Sequence, residues 1–249
     1  MSESRLLEEV LDAHGGLERW RSARTVSARV RTGGLLPRTR MPGNRFADTR
    51  ALVDVIEPRV RFDPFPGGGR VGIFDHGEVR VETGDGEVLE ARSDPRSAFA
   101  GLSGLRRNLR WDALDSVYFA GYAIWNYLTT PLLLARDGVE VTDGDDWQEP
   151  GVEEPWRRLE VSFPDDLDTH SSRQTFYFDP LRLLRRHDYV PEVIGGWARA
   201  AHYTSEHTDA AGLVFPTRRR VRPIGVRNRA LAGPTLVSID LCEIEIGSA

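Results

Sequence analysis

Hydrophobic positions at the start of the chain recur at helical spacing. Leu6, Leu7, Val10, Leu11 and His14 share one face, Glu8, Glu9 and Asp12 lie opposite, and Gly15-Gly16 ends the run. This predicts an amphipathic helix within residues 1–20. From about Thr25 the period drops to two, as Val26, Ala28 and Val30 alternate with Ser27, Arg29 and Arg31. Further short runs follow around Phe46–Ile56, Arg59–Phe65, Arg70–Asp75, Glu78–Glu82 and Val88–Arg92, separated by Pro58, Gly67-Gly68-Gly69, His76-Gly77 and Gly84-Asp85-Gly86. With no crossover helix between them, these runs predict an antiparallel meander.

The alternation stops at Ser93 and does not return until after Ala135, so residues 95–135 are expected to form a helical insert, with helices joined at Ser103-Gly104 and ended near Pro131. Strands then resume at Val139–Thr142, Trp156–Phe163, Thr175–Phe178, Leu181–Val190, Trp197–His207, Leu213–Arg222 and Thr235–Ile246. The acidic stretches Asp143–Pro155 and Pro164–Ser172 read as loops. A helix, strands, a helical insert and more strands predict one α+β domain over residues 1–249, built on a large curved antiparallel sheet.

Composition removes several functions. All 33 basic residues are Arg, which excludes a lysine Schiff base, a P-loop lysine or a lysine general base. Cys242 is the only cysteine and reads as packing in the last strand, so a disulfide within the chain and a multi-cysteine metal site are excluded. The net charge is -5 and the arginines are scattered apart from Arg218-Arg219-Arg220-Val221-Arg222, which reads as a solvated strand face. No nucleic-acid partner is expected. The first residues are too acidic for a signal core, and the apolar stretch Tyr118–Ala135 is interrupted by Asn126, Thr129, Thr130 and Pro131. A cytoplasmic protein without a membrane span is the expectation. Nucleophile-elbow and dinucleotide fingerprints are missing.

Three segments carry a resemblance. The leading Leu6-Leu7-Glu8-Glu9-Val10-Leu11-Asp12-Ala13-His14-Gly15-Gly16-Leu17 precedes the first strand. A Phe178-Asp179-Pro180-Leu181-Arg182-Leu183-Leu184 hairpin comes late, and the stretch Tyr203 to Pro216 turns and re-enters at Gly212-Leu213-Val214-Phe215-Pro216. Together they resemble the lipoprotein-carrier (LolA-like) superfamily. The resemblance implies an unclosed, half β-barrel plugged by helices, with a hydrophobic guest on its concave face. Exported carriers have a signal peptide or lipid anchor, so lipoprotein transport is not carried over. The superfamily also contains a cytosolic enzyme of violacein biosynthesis, which gives cavity chemistry a precedent.

Strand parity then nominates site residues. If Leu181–Val190 and Trp197–His207 pair about Pro191–Gly196, and the latter pairs with Leu213–Arg222 about Thr208–Gly212, residues of one parity share a face across all three strands. The odd face would hold Arg185, His187, Tyr189, Arg199, Tyr203, Phe215 and Arg219, with Arg218, Arg220 and Arg222 turned to solvent. His187 is the candidate general acid or base, assisted by Tyr189 and Tyr203; the alternative is a core histidine satisfied by tyrosine or backbone. In the insert, Trp111, Tyr118, Tyr122 and Trp125 form an aromatic stripe that either packs on the sheet or lines a pocket. These four, with Arg185, Arg199, Phe215 and Arg219, are the candidate ligand-binding residues. His202 and His207 have opposite parity, while His76 and His170 read as exposed, so no metal and no cofactor is expected. Two functions follow. The first is a cytosolic protein enclosing an apolar or aromatic small molecule; the second is a cofactor-free enzyme of secondary metabolism that uses the same cavity for proton transfer or cyclisation.

Overall fold

The computed structural model describes residues 4–43, 45–100 and 109–248. Helices α1 (Arg5–Ala13) and α2 (Leu17–Ser22) lead into strand β1 (Ala23–Gly33), and α3 (Leu35–Arg40) follows. The first limb continues through β2 (Thr49–Asp54), β3 (Arg59–Phe65), β4 (Arg70–Asp75), β5 (Glu78–Thr83) and β6 (Val88–Arg92). After α4 (Ala113–Thr129) come β7 (Glu140–Trp147), β8 (Trp156–Ser162), β9 (Arg173–Phe178), β10 (Leu184–Tyr189), β11 (Ala200–Ala210), β12 (Leu213–Pro223) and β13 (Val237–Ser248). The Ser103-Gly104 junction expected from sequence lies outside the described residues.

Among the described residues all thirteen strands belong to one antiparallel sheet, ordered β6-β5-β4-β3-β2-β1-β13-β12-β11-β10-β9-β8-β7. Each strand therefore pairs with its sequence neighbour except at the centre, where β1 meets β13, and β6 and β7 are left as free edges. The barrel is unclosed, as the resemblance implied.

Helix α4 is what the sheet encloses. Asp112 caps it and forms a reciprocal capping box with Asp115, whose carboxylate also accepts from Arg92 Nη1 at 2.6 Å. Beyond that turn the helix offers almost no polar face, and a helix apolar all round must be buried on all sides. From Tyr122 to Thr129 every residue is buried. The helix rests on β2 to β5, and it also reaches the other limb, where the Tyr127 backbone oxygen accepts from Arg219 Nη2 at 2.9 Å. One helix touching both limbs requires the sheet to curve around it.

Contact with the first limb depends on Gly121. A Cβ added there would lie 2.3 Å from Phe74 Cβ, and a backbone-anchored atom cannot swing aside. Replacing Gly121 by Ala is therefore expected to destabilise the protein by about 1–3 kcal/mol, overriding the helix-propensity gain of about 1 kcal/mol. Denaturant midpoints of the two proteins check this; a raised midpoint would mean that the interface has slack.

Three local readings are corrected. Helix α3 was not expected. Strand β7 extends through the acidic Asp143–Trp147, because an edge strand presents polar side chains to water, and Asp146 pairs there with Arg157 Nε at 3.0 Å. Parity across β10, β11 and β12 is the third. Arg186 pairs with Tyr203 and His187 with His202, while His202 pairs with Val221 and Thr204 with Arg219, so opposed residue numbers have odd sums in both hairpins. In the second hairpin the cause is a two-residue loop: Ala210 pairs with Leu213, and Ala211 and Gly212 turn with positive φ of 53° and 83°. Two odd sums cancel between β10 and β12, so only β11 is inverted. His202 faces inward with His187, and Tyr203 faces outward with Arg186.

Candidate functional site

Buried polar side chains gather where α4 meets β9 to β12. Tyr122 and Tyr127 come from the helix, and His170 comes from the loop before β9. Tyr189 and His187 stand on β10, His202 on β11 and Arg219 on β12. His187, His202 and Arg219 are each 3% exposed or less. A chain of hydrogen-bond contacts runs through five of these residues.

Tyr122 OH lies 3.3 Å from His170 Nδ1, and His170 Nε2 lies 2.6 Å from Tyr127 OH. Tyr127 OH is 3.2 Å from Tyr189 OH, which is 3.4 Å from His202 Nδ1. The chain stops at His202 Nε2, a buried atom with no hydrogen-bond partner among the described residues. Stacking holds the rings in place: Tyr189 lies on His170 at 3.9 Å and Phe176 on His187 at 4.1 Å between centroids. His187 Nε2 meets Gln174 Oε1.

Burial governs the charges here. Desolvation pushes His170 down to about 3 and holds His187 and His202 well below the ordinary imidazole range; Arg219 adds repulsion at the latter two. All three imidazoles are neutral at pH 7. The hydroxyls of Tyr122, Tyr127 and Tyr189 are pushed up, chiefly by the same burial, and remain protonated. Arg219 is the cation of the group, lowered by burial to about 10, with its guanidinium 4.9 Å from the centre of the Tyr127 ring.

Beside this cluster lies an apolar cavity of about 50 Å³, lined by Phe119, Ala123, Ile124, Tyr127, Tyr189 and Ile239 among others. Pro37, Met41 and Phe46, from α3 and the segment after it, cover the cavity on another side.

Of the residues expected at the site, His187, Tyr189, Tyr122 and Arg219 are brought together, and Tyr118 touches the edge of the group, its ring 5.2 Å from that of Tyr122. The others are not. Tyr203 stands on the opposite face, its hydroxyl donating to Glu149. Tyr118 donates to Asp168 and accepts from Arg96 Nη1 at 3.0 Å. Trp125, between Tyr122 and Tyr127 on α4, turns to the first limb and donates to the Asp54 backbone oxygen at 2.9 Å, and Trp111 packs against Phe99 and Phe119. Arg185 is held by Asp179, and exposed Arg199 donates to Asn228 Oδ1 at 3.0 Å. Phe215 packs edge-on against Trp20. Arg218, Arg220 and Arg222 do lie on the outer face, Arg218 exposed and the other two half-buried.

His170, Tyr127 and His202 were missed. His170 was read as exposed because its loop is acidic, yet Thr169, His170 and Ser171 are all buried. The signal for Tyr127 was the lack of a polar face on α4, which makes every position a candidate and a stripe meaningless. His202 was lost to the inverted strand.

No protein-family model matches the chain, and no curated protein does. Among solved structures, a LolA superfamily protein from Nitrosomonas europaea superposes over 100% of this chain and 95% of that one, with a TM-score of 0.53 at 11% identity. The fold is LolA-like. A DUF1329 family protein from Desulfovibrio piger aligns over 97% of this chain and 91% of its own, at TM-score 0.49 and 12% identity. The lipoprotein LppX of Mycobacterium tuberculosis aligns over 98% and 97%, at TM-score 0.29 and 13% identity. In this LolA-like barrel no described helix is long and apolar enough to cross a membrane.

Proposed function

We propose that the protein encloses an apolar or aromatic small molecule between α4 and the sheet. The observation that carries this reading is an apolar cavity set against a hydrogen-bonded His–Tyr chain whose last nitrogen is unused. The hydrophobic guest implied by the LolA-like resemblance supports the same reading. At about 50 Å³ the cavity accepts a head group or a few waters and no more, so a longer guest enters by displacing α3, Met41 and Phe46. Native mass spectrometry of the purified protein is expected to find a retained mass that denaturation releases. A chain free of any retained mass, which also fails to bind saturably any apolar fluorophore, would defeat the reading.

The rival, a cofactor-free enzyme, draws support from the same chain of hydroxyls and imidazoles, because neutral His and Tyr groups in hydrogen-bond contact can pass a proton. Tyr122→Phe and Tyr189→Phe separate the two. A binding protein loses about 1 kcal/mol or less of affinity in each, whereas an enzyme relaying a proton through either hydroxyl loses about 10²-fold or more in rate. Tyr203→Phe, on the other face, is the control and is expected to leave binding and any turnover unchanged.

A further inference from the structure

Two side chains that folding ordinarily hides stand in the open at one end of the sheet. Val226 is 85% exposed and Trp197 76%, the highest values for large apolar side chains among the described residues. Backbone bonds join their loops: Arg199 N–H donates to the Trp197 oxygen, and Ile224 N–H donates to the Arg199 oxygen, both at 3.0 Å. The connection that carries Val226 and exposed Leu231 runs on to α3, where Leu35 N–H donates to the Thr235 oxygen at 3.1 Å and Leu36 N–H to the Leu236 oxygen at 2.9 Å. Leu35, also exposed, extends the apolar surface.

The same three segments are basic. Residues 32–47, 193–199 and 223–236 contain Arg38, Arg40, Arg45, Arg199, Arg227 and Arg229 and no Asp or Glu, in a chain of net charge -5. Arg38, Arg199, Arg227 and Arg229 are exposed, and among the described residues none of the four forms an ion pair. Arg199 donates only to the neutral Asn228. Toward β7 and β8 the basic surface stops, where Glu140 and Glu160 share a recess with Arg199.

We propose that this end of the barrel docks on an anionic lipid bilayer, with Trp197, Val226, Leu231 and Leu35 entering the interface and the four exposed arginines meeting acidic head groups. Indole rings settle at head-group depth, and each arginine near an anionic surface strengthens binding about 5-fold. Side chains this exposed project from the loops. A fluid interface receives them as they are, whereas a protein partner needs a recess shaped to each. Pro37 and Met41, which wall the apolar cavity, belong to the same end, so a docked barrel turns its cavity cover to the lipid. Docking itself does not depend on what the cavity holds.

Sedimentation of the full chain with vesicles tests this, comparing phosphatidylcholine alone with phosphatidylcholine containing about 30% phosphatidylglycerol. At low salt the anionic vesicles are expected to bind at least about 10-fold more tightly, and about 1 M NaCl should remove most of that difference. Arg227→Gln/Arg229→Gln should weaken binding to anionic vesicles about 25-fold and Trp197→Ala about 10-fold. Leu181→Ala, at an exposed leucine beyond the other end of β10, should change nothing. Equal binding to the two kinds of vesicle, no binding to either, or variants that bind like the wild type would each overturn the proposal. In the second case, saturable binding of polyglutamate would assign the surface to an acidic protein instead. Should a variant not fold, the wild-type comparison decides alone.

Discussion

Lowering the pH from 7 to 5 should bring the protein close to unfolding. His170, His187 and His202 are fully buried with folded-state pKa values far below the unfolded value of about 6.5. A group depressed in the folded state contributes stability that is complete above its unfolded pKa and lost as the pH falls toward its folded pKa. Below about pH 6 each of the three removes about 1.4 kcal/mol per pH unit, or about 4 kcal/mol per unit together. His14 and His207, also lowered mainly by burial, act in the same direction. His76 acts in the opposite direction, because Asp75 and Glu57 raise it, but it is half exposed and its contribution is screened. A domain stable by 5–15 kcal/mol does not withstand such a slope for more than two or three units. Denaturant midpoints at pH 7, 6 and 5 measure it, and a flat profile would mean that the imidazoles are reached by water.

The second large effect belongs to the outer face of the same strands. Arg186 is fully buried under the rings of Trp147, Tyr177 and Tyr203, bonded through Nε to Asp188 at 2.7 Å and through Nη1 to Glu149 at 2.9 Å. Burial raises the Asp188 carboxyl even against this partner. Replacing Arg186 by Met strands two carboxylates among aromatic rings, and a loss of about 3–5 kcal/mol is expected at pH 7. The double variant Arg186→Met/Asp188→Asn should recover part of that loss, because an amide is far less costly to bury than a carboxylate. Equal stability of Arg186→Met and the wild type would show that water already solvates the acids.

The strands and the buried insert were legible because alternation and its interruption follow from which faces meet water. Residues 59–65, 70–75 and 88–92 match β3, β4 and β6 end to end. Register was not legible. The odd registers of the two hairpins flanking β11, the second set by the two-residue turn at Ala211-Gly212, place every side chain of β11 on the face opposite to that expected, exchanging Tyr203 for His202, and the pattern of β11 is too polar on both sides to resist. His170 depends on where an acidic loop packs, which is a tertiary fact with no local trace.

The seam between β1 and β13 has a mechanical consequence. Ala23 at the start of β1 lies opposite Ser248 at the end of β13. Tension on the two strands at that end therefore acts across the ladder and parts its rungs one after another, where a shearing load would strain them all at once. In a force-extension experiment with handles at residues 23 and 248, the sheet should open at its middle at low force. Two separate meanders would remain, β1 to β6 and β7 to β13, each with its own neighbouring strands still paired.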